Sequence, residues 1–460
     1  MLQKYIGDRA FYRRVLAVVL PIMVQSAITN FVSMLDNVMV GQVGTIPMTG
    51  VSIVNQLMFV FNLCIFGATS GAGIFTAQFY GSQNQEGVRY TFRFKLLSCV
   101  LLAAAGCGIF IAGDEALIGL YLKGEGNAQD ALLAMEYGKE YLMVMLIGLL
   151  PFALSTSYGS TLRETGKTMI PMIAGIIAVF VNLILNYVLI FGKLGLPALG
   201  VVGAAWATVI SRFTELAVVA FWAHAHEKEL PYLRGIYRSM HIPATLLKEI
   251  SLKGLPLLIN EFLWASGMAF INQCYSTCGL AVVPAQNISS TMYNLAGVGY
   301  LAMGSAVGII MGQMLGAGQS EEEVRDTNRK LIVTSCLIGG VFGSVMAAIS
   351  GVFPALYNTT EDVQKLASQL ILISAFMMTF NAYTNAAYFT LRSGGQTFAT
   401  FLFDSFYVWT ICSPVAYCLT TFTDLPIVPI FMCVQFMDLV KCFLGAWMLK
   451  KGRWIQNLTK

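Results

Sequence analysis

The stretch SGAGIFTAQFYG, residues 70–81, returns 235 positions later as SAVGIIMGQMLG, residues 305–316. Ser70 meets Ser305, Gly73 meets Gly308, Gln78 meets Gln313 and Gly81 meets Gly316. Working outward at the same offset, Pro21 meets Pro256 and Gly44 meets Gly279. With one residue inserted, Arg89 and Arg93 meet Arg325 and Arg329. Later the offset becomes 229: Thr161-Leu162-Arg163 matches Thr390-Leu391-Arg392, while Gly166, Thr168 and Arg212 meet Gly395, Thr397 and Lys441. Chance matches among apolar residues are common, but these are mostly Pro, Gly, Gln and Arg in one order. The chain reads as an internal duplication.

The duplicated material is membrane-spanning. Of 460 residues, 57% are apolar and 11% charged, against about 25% charged in a soluble protein, and mean hydropathy is +0.69. With about 20 residues per span plus loops, the length fits roughly twelve spans and no sizeable soluble domain, which excludes a pump carrying its own ATPase. Hydropathy places spans near 15–40, 50–80, 94–118, 137–160, 168–192, 200–224, 251–278, 285–316, 328–354, 364–391, 397–421 and 428–450. The polar connector 225–250 separates two sets of six. The expected fold is therefore an all-α integral membrane protein. Its twelve transmembrane helices form two six-helix lobes, 1–224 and 251–460, related by the repeat. An even number of spans per half keeps the halves parallel, which suggests alternating access by rocking about a central cavity.

Lys and Arg gather in alternate connectors. Lys4, Arg9, Arg13 and Arg14, then Arg89, Arg93 and Lys95, and finally Lys450, Lys451, Arg453 and Lys460 fall on one side with the 225–250 connector. The other side holds Lys123, Lys139, Lys193 and Lys365. Both termini are thus expected in the cytoplasm of a multi-pass plasma-membrane protein, its first partner being the lipid bilayer. The basic start runs straight into an apolar segment, so no cleavable signal is expected. A net charge of +4 does not suggest nucleic acid as a partner.

Enzyme chemistry finds no support. Gly166-Lys167-Thr168 resembles the end of a P-loop, but Thr161 occupies the first glycine position, HExxH is absent, and the mid-span regions hold no histidine. The ten cysteines read as small hydrophobes. His224-x-His226 reads as a solvated loop rather than a metal pair.

Ionisable residues inside spans are the best guide to function, because each costs about 2.5–3.5 kcal/mol on insertion scales and usually faces a cavity or a partner. They are Asp36, Arg212, Glu215, Glu261, Asp404, Asp438 and Lys441. Asp36 ends a polar stripe of Gln25, Ser26, Thr29, Asn30, Ser33, Asp36 and Asn37 along the first span, expected to line a substrate cavity. Asn182 and Asn186, one turn apart in the fifth span, could set two amide oxygens opposite Asp36, or bond helix to helix. One carboxylate with neutral oxygens suits Na⁺ or a carboxyl group that binds and releases H⁺; no other metal and no cofactor is expected. Glu261 is the candidate for a second ion or substrate site, with snorkelling to the interface as the alternative. In the tenth span Asn381, Thr384, Asn385 and Tyr388 form a polar face among Phe376, Met377, Met378, Phe380 and Phe389, suited to organic cations or merely facing lipid. Arg212 with Glu215, and Asp438 with Lys441, are i,i+3 pairs that read as charges neutralised along their own helices. Asp404 has no partner in its own helix and is given no role.

The segment Asp36-Asn37-Val38-Met39-Val40-Gly41-Gln42-Val43-Gly44, fifteen residues after Pro21, resembles the first-span signature of multidrug and toxic compound extrusion (MATE) transporters. So do Gln78 with Gly81, Arg163 with Gly166-Lys167-Thr168 and Pro171, and Asn182 with Asn186 before Phe191-Gly192. The resemblance implies a monomeric antiporter that exports amphipathic, mostly cationic small molecules in exchange for H⁺ or Na⁺. It implies Asp36 as the coupling carboxylate, with Asn182 and Asn186 lining its site. Asn186 and Asn381 stand where some members carry acids, and Glu261 follows Pro256 by five residues where others place a Glu at eight. A lipid-linked precursor flippase, the alternative of similar architecture, would need a cavity rich in Arg and Lys.

Overall fold

A computed structural model describes residues 5–122 and 128–459; the charges at Lys4, Lys123 and Lys460 lie outside the described residues. The order of elements is α1 (Arg9–Gly41), α2 (Thr45–Gly81), α3 (Gln85–Leu122), α4 (Ala128–Ile147), α5 (Leu149–Glu164), α6 (Met169–Phe191) and α7 (Gly200–Ala225). After two short 3₁₀ turns come α8 (Ala244–Ser276), α9 (Val282–Gly316), α10 (Glu321–Ala348), α11 (Glu361–Ser393), α12 (Thr397–Phe422) and α13 (Ile427–Lys451). The protein is an all-helical membrane protein. Among the described residues eleven helices are each long and apolar enough to cross a bilayer, and α4 with α5, meeting at 46°, make up to a twelfth span. Pro151 explains that break. It has no N–H to give and its ring would strike the carbonyl of Ile147, so α4 ends there and the chain turns at Gly148.

Several helices outrun the hydropathy windows. Helix α3 starts at Gln85 and α8 at Ala244, because polar helical turns continue beyond the hydrocarbon, where an averaged apolar signal cannot see them. In α3 those turns carry Arg89 and Arg93. Lys95, grouped by sequence with these connector cations, is instead fully buried. It pairs with Glu164 of α5 and donates to Ser160 Oγ at 2.9 Å. A buried ammonium needs such partners, and α5 supplies them from far along the chain.

The repeat is visible in local geometry. Gly166 and Gly395 take φ of 80° and 73° at equivalent turns, and Gln83 (φ 59°) adopts the left-handed form that Gly318 (φ 67°) takes in the second repeat.

The chain forms two compact units that cut across the sequence halves. The first comprises Met1–Met23, Ala77–Gln83 and Leu252–Lys460; the second comprises Val24–Thr76 and Asn84–Ser251. Within the first unit, the end of α2 meets the end of α9 backbone to backbone. A Cβ on Gly81 would fall on the Gln313 carbonyl, and one on Gly316 would fall on the Gln78 carbonyl. Two equivalent pairs of the repeat thus exchange the same contact. Gln78 is fully buried there and donates to Ser393 O at 2.8 Å and Gln456 O at 3.1 Å, while Leu458 N donates to its Oε1 at 2.7 Å. The tail 452–459 is held in place, with Trp454 buried.

Within the second unit the connector is tied down by α3. Arg89 donates to the carbonyls of Pro231 and Tyr232, and Arg93 to those of Gly235, Ile236 and His241. Each unit has its own apolar core.

Candidate functional site

In the second unit, α1 and α6 bring Asp36, Asn182 and Asn186 together. Asn186 Nδ2 donates to Asp36 Oδ1 at 2.7 Å and to Asn182 Oδ1 at 3.1 Å. Asn182 Nδ2 donates to Thr208 Oγ1 of α7 at 3.3 Å. With its amide turned over, Asn182 donates to Asp36 Oδ2 at 2.9 Å and accepts from Thr208 N at 3.3 Å. The sequence suggested amide oxygens opposite the carboxylate. The structure presents amide nitrogens instead, because an ionised carboxylate offers only lone pairs and takes donors. One acceptor, Asn186 Oδ1, stays buried without a partner. An orphaned oxygen beside a carboxylate is costly and is the group a bound cation or a carboxyl proton would satisfy.

Asp36 and Asn186 border a cavity of about 330 Å³ within the second unit, and Asn182 stands behind them, outside its lining. Ser33 and Asn37 of α1 line it, as the polar stripe suggested, and so do Tyr141, Thr208 and Arg212. Gln25 and Thr29 do not. At 1.5 Å per residue, Gln25 lies about 16 Å along α1 from Asp36, where it packs against Gly175 and Arg163; Thr29 is exposed. Sequence reading also missed Asn55 and Asn62 of α2 in the wall. Two Asn residues two turns apart in an apolar span were the signal that could have found them.

The first unit holds a different polar cluster. Lys441 Nζ lies 2.6 Å from Asp404 Oδ1, and Asn260 Nδ2 donates to Asp404 Oδ2 at 3.2 Å and to the Tyr388 hydroxyl at 3.4 Å. Ser405 Oγ donates to Asn260 Oδ1 at 2.7 Å. The expected Asp438–Lys441 pair is therefore replaced by one between helices. Asp404 sits where α12 widens into π-helical turns, Leu402–Phe406 and Val408–Cys412, a local geometry that frequently marks functional sites. Arg212 and Glu215 do pair along α7, at 3.5 Å.

The tenth-span residues do not converge. Asn381 donates to Tyr293 at 3.0 Å, Asn385 packs against Gly304, and Tyr388 joins Asn260. Met378, expected in a cavity, is fully buried against α10, where Gly343 leaves room for it. Glu261 lies half-buried within electrostatic reach of Arg392 and Asp404. Among the described residues no three His, Cys, Asp or Glu side chains cluster to hold a metal.

The MatE family model matches residues 21–188 and 256–418. The chain belongs to the MatE family. The matched segments carry Asp36, Asn182, Asn186, Glu261 and Asp404, whereas Arg212 and Lys441 lie outside both. Among curated relatives, this MatE chain is 24% identical over 422 residues to a probable multidrug resistance protein NorM of Thermotoga maritima, covering 90% of this chain and 86% of the relative. It is 26% identical over 418 residues to the NorM-named protein of Halalkalibacterium halodurans, covering 89% and 88%. Its fold matches the outward-facing conformation of a multidrug resistance MATE family transporter of the MOP superfamily, with TM-score 0.83, 17% identity and 98% and 97% coverage.

Proposed function

We propose that the chain is a secondary active exporter of amphipathic, mostly cationic small molecules, driven by H⁺ or Na⁺ entering at Asp36. The observation that carries this reading is the Asp36 carboxylate held by Asn186 at the wall of a drug-sized cavity. The NorM-named relatives support it. H⁺ or Na⁺ at Asp36 displaces the amide donors, and the organic cation competes for the same charge, so one is carried each way by alternating access. The Lys/Arg asymmetry supports cytoplasmic termini in the plasma membrane, and each lobe holding its own polar cluster supports action as a monomer.

Glu261 is the proposed second ion site. Asn381 donates to Tyr293, and Asn385, whose Oδ1 is buried without a hydrogen-bond partner, packs against Gly304; neither is proposed to join it. The flippase alternative gains no support from the relatives, and the Asp36 cavity offers one cation, Arg212, where a pyrophosphate would need several. Transport of a fluorescent cation in proteoliposomes under separately imposed pH and Na⁺ gradients tests the reading. Export powered by one gradient is expected, and movement indifferent to both overturns it.

A further inference from the structure

Helix α2 passes from the second unit into the first at Thr76 and Ala77, so its last turns pack on helices of the other repeat. The smallest residues make that contact. A Cβ on Gly81 or Gly316 would strike the carbonyl of Gln313 or Gln78, and one on Gly312 would fall 2.8 Å from the Ala77 methyl. Backbones that meet in this way have few side chains interlocked between them. Dispersion alone then holds them, unless directional bonds are added.

The segment after α13 adds such bonds. Gly452 (φ 70°) caps α13 in the left-handed form and turns the chain. Trp454 is buried and donates its Nε1 hydrogen to Leu449 O at 3.1 Å. Residues 456–458 then span the contact between α2 and α9. On the α2 side, Gln78 Nε2 donates to Gln456 O at 3.1 Å and Leu458 N donates to Gln78 Oε1 at 2.7 Å. On the α9 side, Asn457 Nδ2 donates to Gly316 O at 3.3 Å. The turn after α11 forms the bed beneath. Gln396 Nε2 donates to Arg453 O at 3.1 Å, a Cβ on Gly394 would fall on the Trp454 carbonyl, and one on Gly395 would fall 2.8 Å from the Leu458 side chain. The repeat equivalent of Gly395 is Gly166, and a Cβ there would meet open space. The covering segment thus lies on the turn of one repeat only, while its bonds reach helix ends of both.

We propose that residues 453–459 form a strap that latches the end of α2 to the end of α9, and that its release sets how often the transporter opens on the side where α1 begins and α13 ends. Alternating access requires helix ends joined on one side to part when that side opens. On release each strap bond is exchanged for a bond to water, so its net worth is small and the latch can open within a transport cycle. The proposal rests on the alternating-access reading.

The test is a distance measurement by double electron–electron resonance on the purified full-length protein in lipid nanodiscs. Spin labels sit on Lys228→Cys and Glu322→Cys, both exposed positions on that side, in a background lacking other reactive cysteines. The wild-type strap is expected to give a major short and a minor long distance. Gln78→Ala, which removes two strap bonds, should raise the ratio of long to short about tenfold, the scale of two ordinary hydrogen bonds. Asn457→Ala, which removes one, should shift the ratio the same way by less. A merely structural role would lower thermal stability without moving the ratio. Two distances in the same ratio in wild type and both variants would overturn the latch alone. One distance in all three proteins under every pH, Na⁺ and substrate condition would overturn the latch and the alternating-access reading together. Should Gln78→Ala fail to fold, Asn457→Ala decides.

Discussion

Lys441 of α13 closes on Asp404 of α12 at 2.6 Å, with both side chains mostly buried. Removing one partner of such a pair leaves an uncompensated charge, worth about 3–5 kcal/mol of destabilisation. Lys441→Met is therefore expected to lower thermal stability in detergent sharply, and the double variant with Asp404→Asn to recover most of the loss. A single variant as stable as the wild type would show that the pair is not held in the folded protein.

Gln78 makes three hydrogen bonds to backbone, two of them to the tail at Gln456 and Leu458 and one to Ser393 at the end of α11. In Gln78→Ala those backbone groups lose their partner, at about 1–3 kcal/mol for each group left buried and unpaired. Limited trypsin digestion should then cut faster at Lys451 and Arg453. Unchanged cleavage kinetics would mean that buried Trp454 and the bonds of Asn457 to Gly316 and of Gln396 to Arg453 hold the tail without Gln78.

The exposed Lys228 reports topology. A single cysteine there, in a background lacking other reactive cysteines, should react with an impermeant thiol reagent only after the cells are opened. Labelling of intact cells would reverse the orientation.

What the sequence revealed followed from periodicity and repetition; what it hid depended on distant partners. The stripe through Ser33, Asp36 and Asn37 was legible because three- and four-residue spacing fixes a helix face without further information. The equivalence of Gly166 and Gly395 was legible as a match of the repeat, and the structure adds that both take positive φ at a turn. Lys95 looked solvated because Arg89 and Arg93 precede it, and only the arrival of Glu164 on α5 explains its burial. Asp404 had no partner within its helix, and Asp438 offered Lys441 a nearer one by spacing. Helix packing chose otherwise, through a π-helical stretch that no spacing rule anticipates.

Glu261 bears on stoichiometry. Exchange of one monovalent organic cation for one H⁺ or Na⁺ moves no net charge, so the membrane potential, worth about 2.3 kcal/mol per charge per 100 mV, cannot drive it. A second ion at Glu261 makes the cycle electrogenic. Export of a monocation by the wild type should then respond to an imposed potential, and Glu261→Gln should keep gradient-driven export but lose that response. Indifference of the wild type to potential under clamped ion gradients would return Glu261 to an interfacial or structural role.

The most direct test of the account is uphill transport by Asp36→Asn in proteoliposomes, beside a wild type reconstituted to the same density. An amide neither exchanges a proton nor neutralises a cation. The variant is expected to fold and reconstitute normally yet fail to concentrate a fluorescent cation under either a pH or a Na⁺ gradient that drives the wild type. Wild-type accumulation by a well-folded Asn variant would contradict the assignment of Asp36 as the coupling carboxylate.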